Sequence, residues 1–92
     1  MIRTFASKET QALYEGGPSR RFDSIRRQAI KRLDRIAAAQ SLADLAALPG
    51  NRLEALAGNR KGQYSIRIND QWRVCFVWRS DGAYNVEIVD YH

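Results

Sequence analysis

The chain has 92 residues, enough for one small hydrophobic core, so we expect a single domain over residues 1–92. Hydrophobic residues make up 45% of it, which is ordinary for a globular protein and argues against global disorder. The formal net charge of +5, with twelve of the fifteen basic residues arginine, favours an anionic partner such as nucleic acid, although solubility alone can explain such an excess.

The N-terminal segment predicts a short strand followed by a short helix. Residues 1–5 have the composition of a strand. Ser7 can cap a helix over about residues 8–15, and Gly16-Gly17-Pro18 would end that helix.

A second, longer helix is predicted from Ser19 or Asp23 to Ala39. Apolar residues recur there every three or four positions and form one stripe, which consists of Phe22, Ile25, Ala29, Leu33 and Ile36. The other faces carry basic residues that we expect in solvent or against RNA: Arg20, Arg21, Arg26, Arg27, Lys31, Arg32 and Arg35.

The middle of the chain predicts a third helix and then a strand. Ser41 and Asp44 resemble a capping box in front of a short helix with three leucines, and Pro49-Gly50 would stop that helix. Residues 51–56 are predicted to be a strand, and residues 57–62 a loop.

The last third predicts a three-stranded meander. The strands are Tyr64–Ile68, Trp72–Trp78 and Tyr84–Val89, with turns at residues 69–70 and 80–82. Large apolar side chains occupy even positions, whereas odd positions are mostly polar or basic. Since side chains alternate across a strand, we expect one face in the core and the other in solvent.

Helices precede strands without alternating with them. This order predicts an α+β fold in which the N-terminal helices pack on one face of a small antiparallel sheet and the other face stays open. Cys75 lies in a strand and is expected to be a buried thiol, because a lone cysteine can form neither an internal disulfide nor a cysteine metal cluster. The absence of an apolar leader or membrane span suggests a cytoplasmic protein.

Several segments resemble the HigB-type toxins of the RelE superfamily, also called plasmid maintenance killer proteins. They are Asn51–Leu56, Gly58–Asn69, Trp72-Arg73-Val74 and the closing Asp90-Tyr91-His92. The resemblance implies a RelE-like fold and a toxin of a type II toxin–antitoxin module that cleaves messenger RNA on the ribosome without a metal or other cofactor. It also implies a HigA-type helix-turn-helix antitoxin, with operator DNA bound only through the antitoxin complex and no contact with membranes.

The resemblance also suggests which side chains carry the chemistry. Metal-free RNA cleavage needs a base for the 2′-hydroxyl, cations for the phosphate and an acid for the departing 5′-oxygen. Arg73, on the solvent-facing side of the sheet, is expected to stabilise the phosphate. Tyr91 and His92 are expected to be catalytic as well, with Asp90 as a partner of His92 or Arg73. Glu54 is the fifth expected catalytic residue and stands where some relatives carry histidine. Phosphate-binding residues are expected at Arg52, Arg60, Lys61 and Arg67.

Position 57 departs from the family pattern, because Ala57 stands where a lysine is expected to contact the phosphate. Three explanations remain open: Arg60 or Lys61 supplies the cation, the activity is weak or lost, or the alanine was introduced to disarm the chain. The alternative function is a non-catalytic RelE-like module that binds its antitoxin or RNA. Direct DNA binding by the arginine-rich helix is disfavoured, because that helix lacks helix-turn-helix spacing.

Overall fold

The computed structural model describes residues 1–91, in which helices cover one face of a four-stranded antiparallel sheet. The sheet order is β1-β2-β3-β4, and both the helices and the meander follow the predicted α+β arrangement. The helices are α1 (Lys8–Tyr14), α2 (Arg26–Ala38) and α3 (Leu42–Ala46). The strands are β1 (Glu54–Ala55), β2 (Tyr64–Arg67), β3 (Trp72–Arg79) and β4 (Gly82–Asp90).

Side-chain caps start the first and third helices, as predicted. The Ser7 hydroxyl accepts a hydrogen bond from the Thr10 amide at 3.2 Å, and the Ser41 hydroxyl accepts one from the Asp44 amide at 3.3 Å. The Asp44 carboxylate accepts from the backbone amide of Gln40 rather than of Ser41, so the capping box is displaced by one residue.

The core lies between the helices and the even-numbered face of the sheet. The predicted stripe of α2 and its approach is buried, as are the even positions at the centres of the long strands. The Phe22 ring packs edge-on against Trp72, with centroids 5.4 Å apart. The buried cluster includes Leu13, Phe22, Ile25, Ala29, Leu33, Ile36, Leu45, Ile66, Val74, Phe76, Val86 and Ile88.

Two predicted strands are largely absent. Within residues 1–5 only Ile2 and Phe5 form isolated parallel bridges, to Ala83 and Val86 of β4. The pairing is interrupted because Asn85, between those two partners, has a φ of 54° and bulges out of the strand. The strand predicted over residues 51–56 is reduced to Glu54–Ala55, since Arg52 has a φ of 45° and turns the chain away.

Three arginines of α2, Arg26, Arg32 and Arg35, are only partly exposed, because each donates a hydrogen bond within the fold. Arg32 Nε donates to the carbonyl of Arg67 at 2.7 Å, and Arg35 Nη1 donates to Asn51 Oδ1 at 2.8 Å. Because β1 pairs only with Tyr64 and Ser65, the Arg67 carbonyl lies beyond its end and takes its donor from a side chain. Of the helices within residues 1–91, none has the length and apolar character needed to cross a bilayer.

Cys75 is fully buried, as predicted, and burial raises the pKa of its thiol above the ordinary value of 9.0. Its contribution to stability is therefore fully present below the unfolded pKa and is lost as the pH rises from there through the native pKa. We expect the difference in unfolding free energy between the native chain and Cys75→Ala to shrink in urea titrations as the pH rises through and above about 9. A constant difference would contradict this expectation.

Candidate active site on the open sheet face

The register of the four strands gathers polar side chains on the face opposite the helices. Across the sheet, Glu54 pairs with Ser65, Ser65 with Cys75 and Cys75 with Glu87. In an antiparallel sheet, residues paired in this way project to the same side. The adjacent row contains Arg67 opposite Arg73 and Arg73 opposite Val89. The open face therefore presents a polar row and an arginine row next to each other.

Arg73 lies on this face, as predicted, opposite the last residue of β2, but it is buried and not freely solvated: only 6% of the residue is exposed. Its Nε donates to the Ser65 hydroxyl at 2.8 Å. Its Nη2 donates to the carbonyl of Arg52 at 2.6 Å and to that of Ser65 at 3.3 Å. The left-handed backbone of Arg52 directs its carbonyl toward this guanidinium. These bonds hold the Arg73 side chain in one orientation.

One nitrogen of Arg73 remains available. The Nη1 atom has no hydrogen-bond partner among residues 1–91, since the bonds of this guanidinium use Nε and Nη2. Yet no fully buried side-chain nitrogen or oxygen in the same range lacks a partner. Nη1 therefore reaches the surface, where it can donate to an anion.

Two of the predicted catalytic side chains flank Arg73. The guanidinium carbon lies 5.4 Å from the centroid of the Tyr91 ring, which is 43% exposed. On the other side, Glu54 Oε1 lies 3.6 Å from Arg73 Nη2, and the Glu54 side chain is half exposed. A guanidinium, a phenol and a carboxylate are thus brought together at one surface.

Arg60 crosses the same face from the loop before β2. Its Nη1 donates to Glu87 Oε1 and to Gln63 Oε1, both at 3.0 Å. The hydrogen bond to Glu87 is the main reason why the pKa of Arg60 is raised, and the charges of Cys75, Glu87 and Tyr91 raise it further. Since Cys75 lies between Ser65 and Glu87 in the register, Arg60 reaches over the buried thiol.

The side chains of the other predicted site residues have partners outside this group or lie in solvent. Asp90 accepts a hydrogen bond from Gln71 Nε2 at 3.1 Å, and within residues 1–91 it forms neither a hydrogen bond nor an ion pair with Arg73. Arg67 is paired with Asp70, three residues further along the chain. The side chains of Arg52 and Lys61 are exposed on the loop segments, as is Ala57. His92 lies outside the described residues.

Three residues of the face were not predicted as site residues: Ser65, which anchors Arg73, and Gln63 and Glu87, which hold Arg60. Ser65 and Glu87 share their odd strand position with Arg73, and this common parity could have identified them. Gln63 precedes β2, so no periodic signal marks it.

The chemistry available here is that of an anion site with proton-transfer groups. Arg73 and Arg60 supply fixed positive charge, Glu54 can accept a proton, and Tyr91 can donate a hydrogen bond. No group of three or more His, Cys, Asp or Glu residues in the described part of the chain is arranged to hold a metal ion.

The sequence matches a family of known proteins over almost its whole length. Residues 3–92 match the family "RelE-like toxin of type II toxin-antitoxin system HigB". The chain is 39% identical over 87 residues to Toxin HigB-1 of Vibrio cholerae serotype O1, covering 92% of each sequence. It is 30% identical over 95 residues to Endoribonuclease HigB of Proteus vulgaris, covering 100% of each.

Solved structures share the fold. The toxin–antitoxin complex YoeB-YefM from Staphylococcus aureus contains a chain that superposes with a TM-score of 0.63 at 18% identity, covering 100% of this chain and 98% of that one. The YoeB dimer from the same organism also gives a TM-score of 0.63 at 18% identity, with coverage of 99% and 97%. This level of identity supports similarity of fold only.

Ser65→Ala should destabilise the protein because it removes the side-chain acceptor of a buried guanidinium. We expect the free energy of unfolding to fall by about 1–3 kcal/mol in urea titrations. Ser24→Ala is the matched control: Ser24 is exposed, so its loss should cost no more than about 0.5 kcal/mol. Equal effects of the two substitutions would contradict the anchoring role of Ser65.

Proposed function

Since the chain belongs to the HigB family of RelE-like toxins of type II toxin–antitoxin systems, we propose that it is an endoribonuclease that cleaves messenger RNA on the ribosome without a metal ion. The observation that carries this proposal is the convergence of Arg73, Tyr91 and Glu54 on one sheet face. The relative named as an endoribonuclease, which aligns over the full length of the chain, supports the reaction class.

The proposed reaction uses the RNA as its own nucleophile. The 2′-oxygen attacks the neighbouring phosphorus, the bond to the 5′-oxygen breaks, and the products are a 2′,3′-cyclic phosphate and a new 5′-hydroxyl end. One proton leaves the 2′-hydroxyl and another is delivered to the departing oxygen. Each well-placed acid or base contributes roughly 10²- to 10⁴-fold in rate. Binding on the ribosome would hold the message in a reactive geometry, which lowers the entropic part of the barrier.

The residues of the face divide these tasks. Arg73, held by Ser65, directs Nη1 at the phosphate, where a fixed donor to developing charge is worth roughly 3 kcal/mol. Glu54 accepts the proton of the 2′-hydroxyl, because its carboxylate is half exposed and already lies beside the cation that would bind the phosphate. Tyr91 stacks on a base or donates to the departing oxygen. His92 is the other proposed acid, with Asp90 as its partner.

Arg60 is the proposed replacement for the cation absent at position 57. Its guanidinium is fixed above the sheet by Glu87 and Gln63, whereas Lys61 is exposed. Glu87 therefore acts as a positioning residue, which holds Arg60 without contacting the RNA. Lys61 and Arg52 provide further positive charge along the path of the RNA strand.

The partners follow from the family. We propose a HigA-type antitoxin with a helix-turn-helix domain, with operator DNA bound only through the complex, and a site of action in the cytoplasm. The net charge of +5 suits a protein that works on ribosome-bound RNA.

Arg73→Gln should lower cleavage by about 10²- to 10³-fold, because it removes the fixed charge at the phosphate. The measurement is the mapping of new 5′-hydroxyl ends on translated message. Glutamine keeps a donor for Ser65, and thermal unfolding should verify that the variant remains folded. Arg79→Gln is the control, since Arg79 is exposed at the far end of β3 and stacks on Tyr84.

Full cleavage by Arg73→Gln would remove Arg73 from the mechanism. A folded native chain that binds ribosomes or antitoxin but yields no new 5′-hydroxyl ends would instead be the non-catalytic module. The two outcomes differ in whether the native chain cleaves translated message.

Ala57→Lys should increase growth inhibition and cleavage, by about tenfold or more, because it adds a further cation near the phosphate, beside Arg73 and Arg60. Position 57 is exposed directly before the turn Gly58–Arg60, so a lysine fits without repacking. Ala43→Lys, which adds the same charge on an exposed position of α3, should change neither property.

The role of Glu87 can be tested in the same series. Glu87→Gln releases Arg60 and should reduce cleavage in the native chain more than in Ala57→Lys, where a lysine supplies the charge. An equal reduction in both backgrounds would show that Arg60 does not replace the missing lysine.

A further inference from the structure

Three arginines meet at the outer edge of β2, outside the group around Arg73. Arg32 and Arg35 reach this edge from α2, and Arg67 is the last residue of the strand. Arg32 Nε donates to the carbonyl of Arg67, so the two residues are in direct contact. Arg35 Nη1 donates to the buried side chain of Asn51, which in turn donates to the carbonyl of Leu45. Each guanidinium is thus held by polar groups of the fold.

The positive charge of this group is poorly compensated. Arg67 pairs with Asp70, whose side chain is almost fully exposed. No carboxylate within residues 1–91 forms an ion pair with Arg32 or Arg35. Burial lowers the pKa of Arg32, and the positive charges of Arg35 and Arg67 lower it further. Holding like charges together costs free energy that a bound anion would recover.

The space between two of these guanidiniums is kept open by a glycine. A β-carbon at Gly50 would lie 3.3 Å from Arg32 Nη2 and 3.8 Å from Arg35 Nη1. Arg32 uses only Nε in its hydrogen bond and Arg35 only Nη1, and no fully buried side-chain nitrogen in the described residues lacks a partner. Arg32 Nη2 therefore reaches solvent beside Gly50 and can donate to an external acceptor. Arg35 Nη1 carries two N–H groups, of which the hydrogen bond to Asn51 uses one, so it can donate with the other.

We propose that Arg32, Arg35 and Arg67 form a phosphate-binding site at the outer edge of β2. The ligand is a phosphate group, which planar guanidiniums bind through paired hydrogen bonds. Two sources share this chemistry: the backbone of an RNA strand and a free phosphate.

The position of Arg67 favours RNA, a part of the inference that rests on the proposed function. Arg67 lies directly opposite Arg73 in the register of β2 and β3, so their side chains are neighbours on the open face. A strand with one phosphate at Arg73 can pass Arg67 and place a later phosphate between Arg32 and Arg35. The edge site would then bind a phosphate that is not cut.

The first test measures thermal unfolding in sodium phosphate against sodium chloride at equal ionic strength. Phosphate at a few times its dissociation constant should raise the midpoint of the native chain on the order of 5 °C. Arg35→Gln should abolish most of this rise. Arg27→Gln, which removes the same charge from an exposed position on the same helix, should keep it. An equal rise in Arg35→Gln would overturn the proposal and leave Arg35 a structural residue.

Gly50→Ala is the second variant, in case Arg35→Gln fails to fold because Asn51 loses its donor. It keeps every charge and places a methyl group against the two guanidiniums. The phosphate concentration that gives the same rise as in the native chain should increase several-fold. An unchanged concentration would count against a ligand between Arg32 and Arg35.

The second test distinguishes the two sources by using a twelve-nucleotide oligouridine at several salt concentrations. If the RNA backbone occupies the site, Arg35→Gln should reduce the salt slope of binding by about 0.7 for each phosphate that is no longer neutralised. An unchanged slope, together with an abolished phosphate response, would assign the site to a free phosphate. If phosphate raises the unfolding midpoint but the native chain cleaves no message, only the proposed nuclease function is contradicted. If the native chain cleaves message but Arg35→Gln keeps the full rise of the midpoint in phosphate, only the site at the edge of β2 is contradicted.

Discussion

The organisation of the open face depends on a guanidinium that has been taken out of water. Removing a charge from solvent costs several kcal/mol unless hydrogen bonds and an opposite charge compensate for it. For Arg73 the compensation comes from Ser65, the carbonyl of Arg52 and the nearby Glu54. This requirement ties β1 to β2 and β3 and explains why the chain turns sharply at Arg52. The hydrogen bonds that orient Arg73 therefore also shape the local fold.

Much of the fold could be predicted because short-range rules decided it. The spacing of Phe22, Ile25, Ala29, Leu33 and Ile36 determined which side of the second helix is buried. Ser7 and Ser41 marked helix starts through a local hydrogen bond. The two short pieces that were overestimated, residues 1–5 and 51–56, depend on tertiary partners: each is limited by a residue with positive φ, Asn85 or Arg52. The propensities of these residues for β-strand do not predict such a bend in the chain.

The site was predictable only in part, because the main signal was the alternation of side chains between the two faces of a strand. Alternation placed Arg73 on the same side as the open polar positions, and Tyr91 does meet it. Alternation does not predict how deeply the Arg73 side chain is buried, however, because the carbonyl and side chains that enclose it come from outside β3. The same limit applied to Arg32 and Arg35, whose partners Arg67 and Asn51 lie 35 and 16 positions away. The partner of Asp90 was likewise missed, since Gln71 belongs to a turn.

The bridges between the first residues and β4 connect parts of the chain that are synthesised far apart in time. The bridges of Ile2 to Ala83 and of Phe5 to Val86 cannot form until Gly82–Asp90 have left the exit tunnel, so the sheet is incomplete until then. Contacts of such long sequence separation form late in folding. A nascent chain that still lacks the final strand has Arg73 without Tyr91 above it. The open face is thus completed only after β4 has emerged from the ribosome.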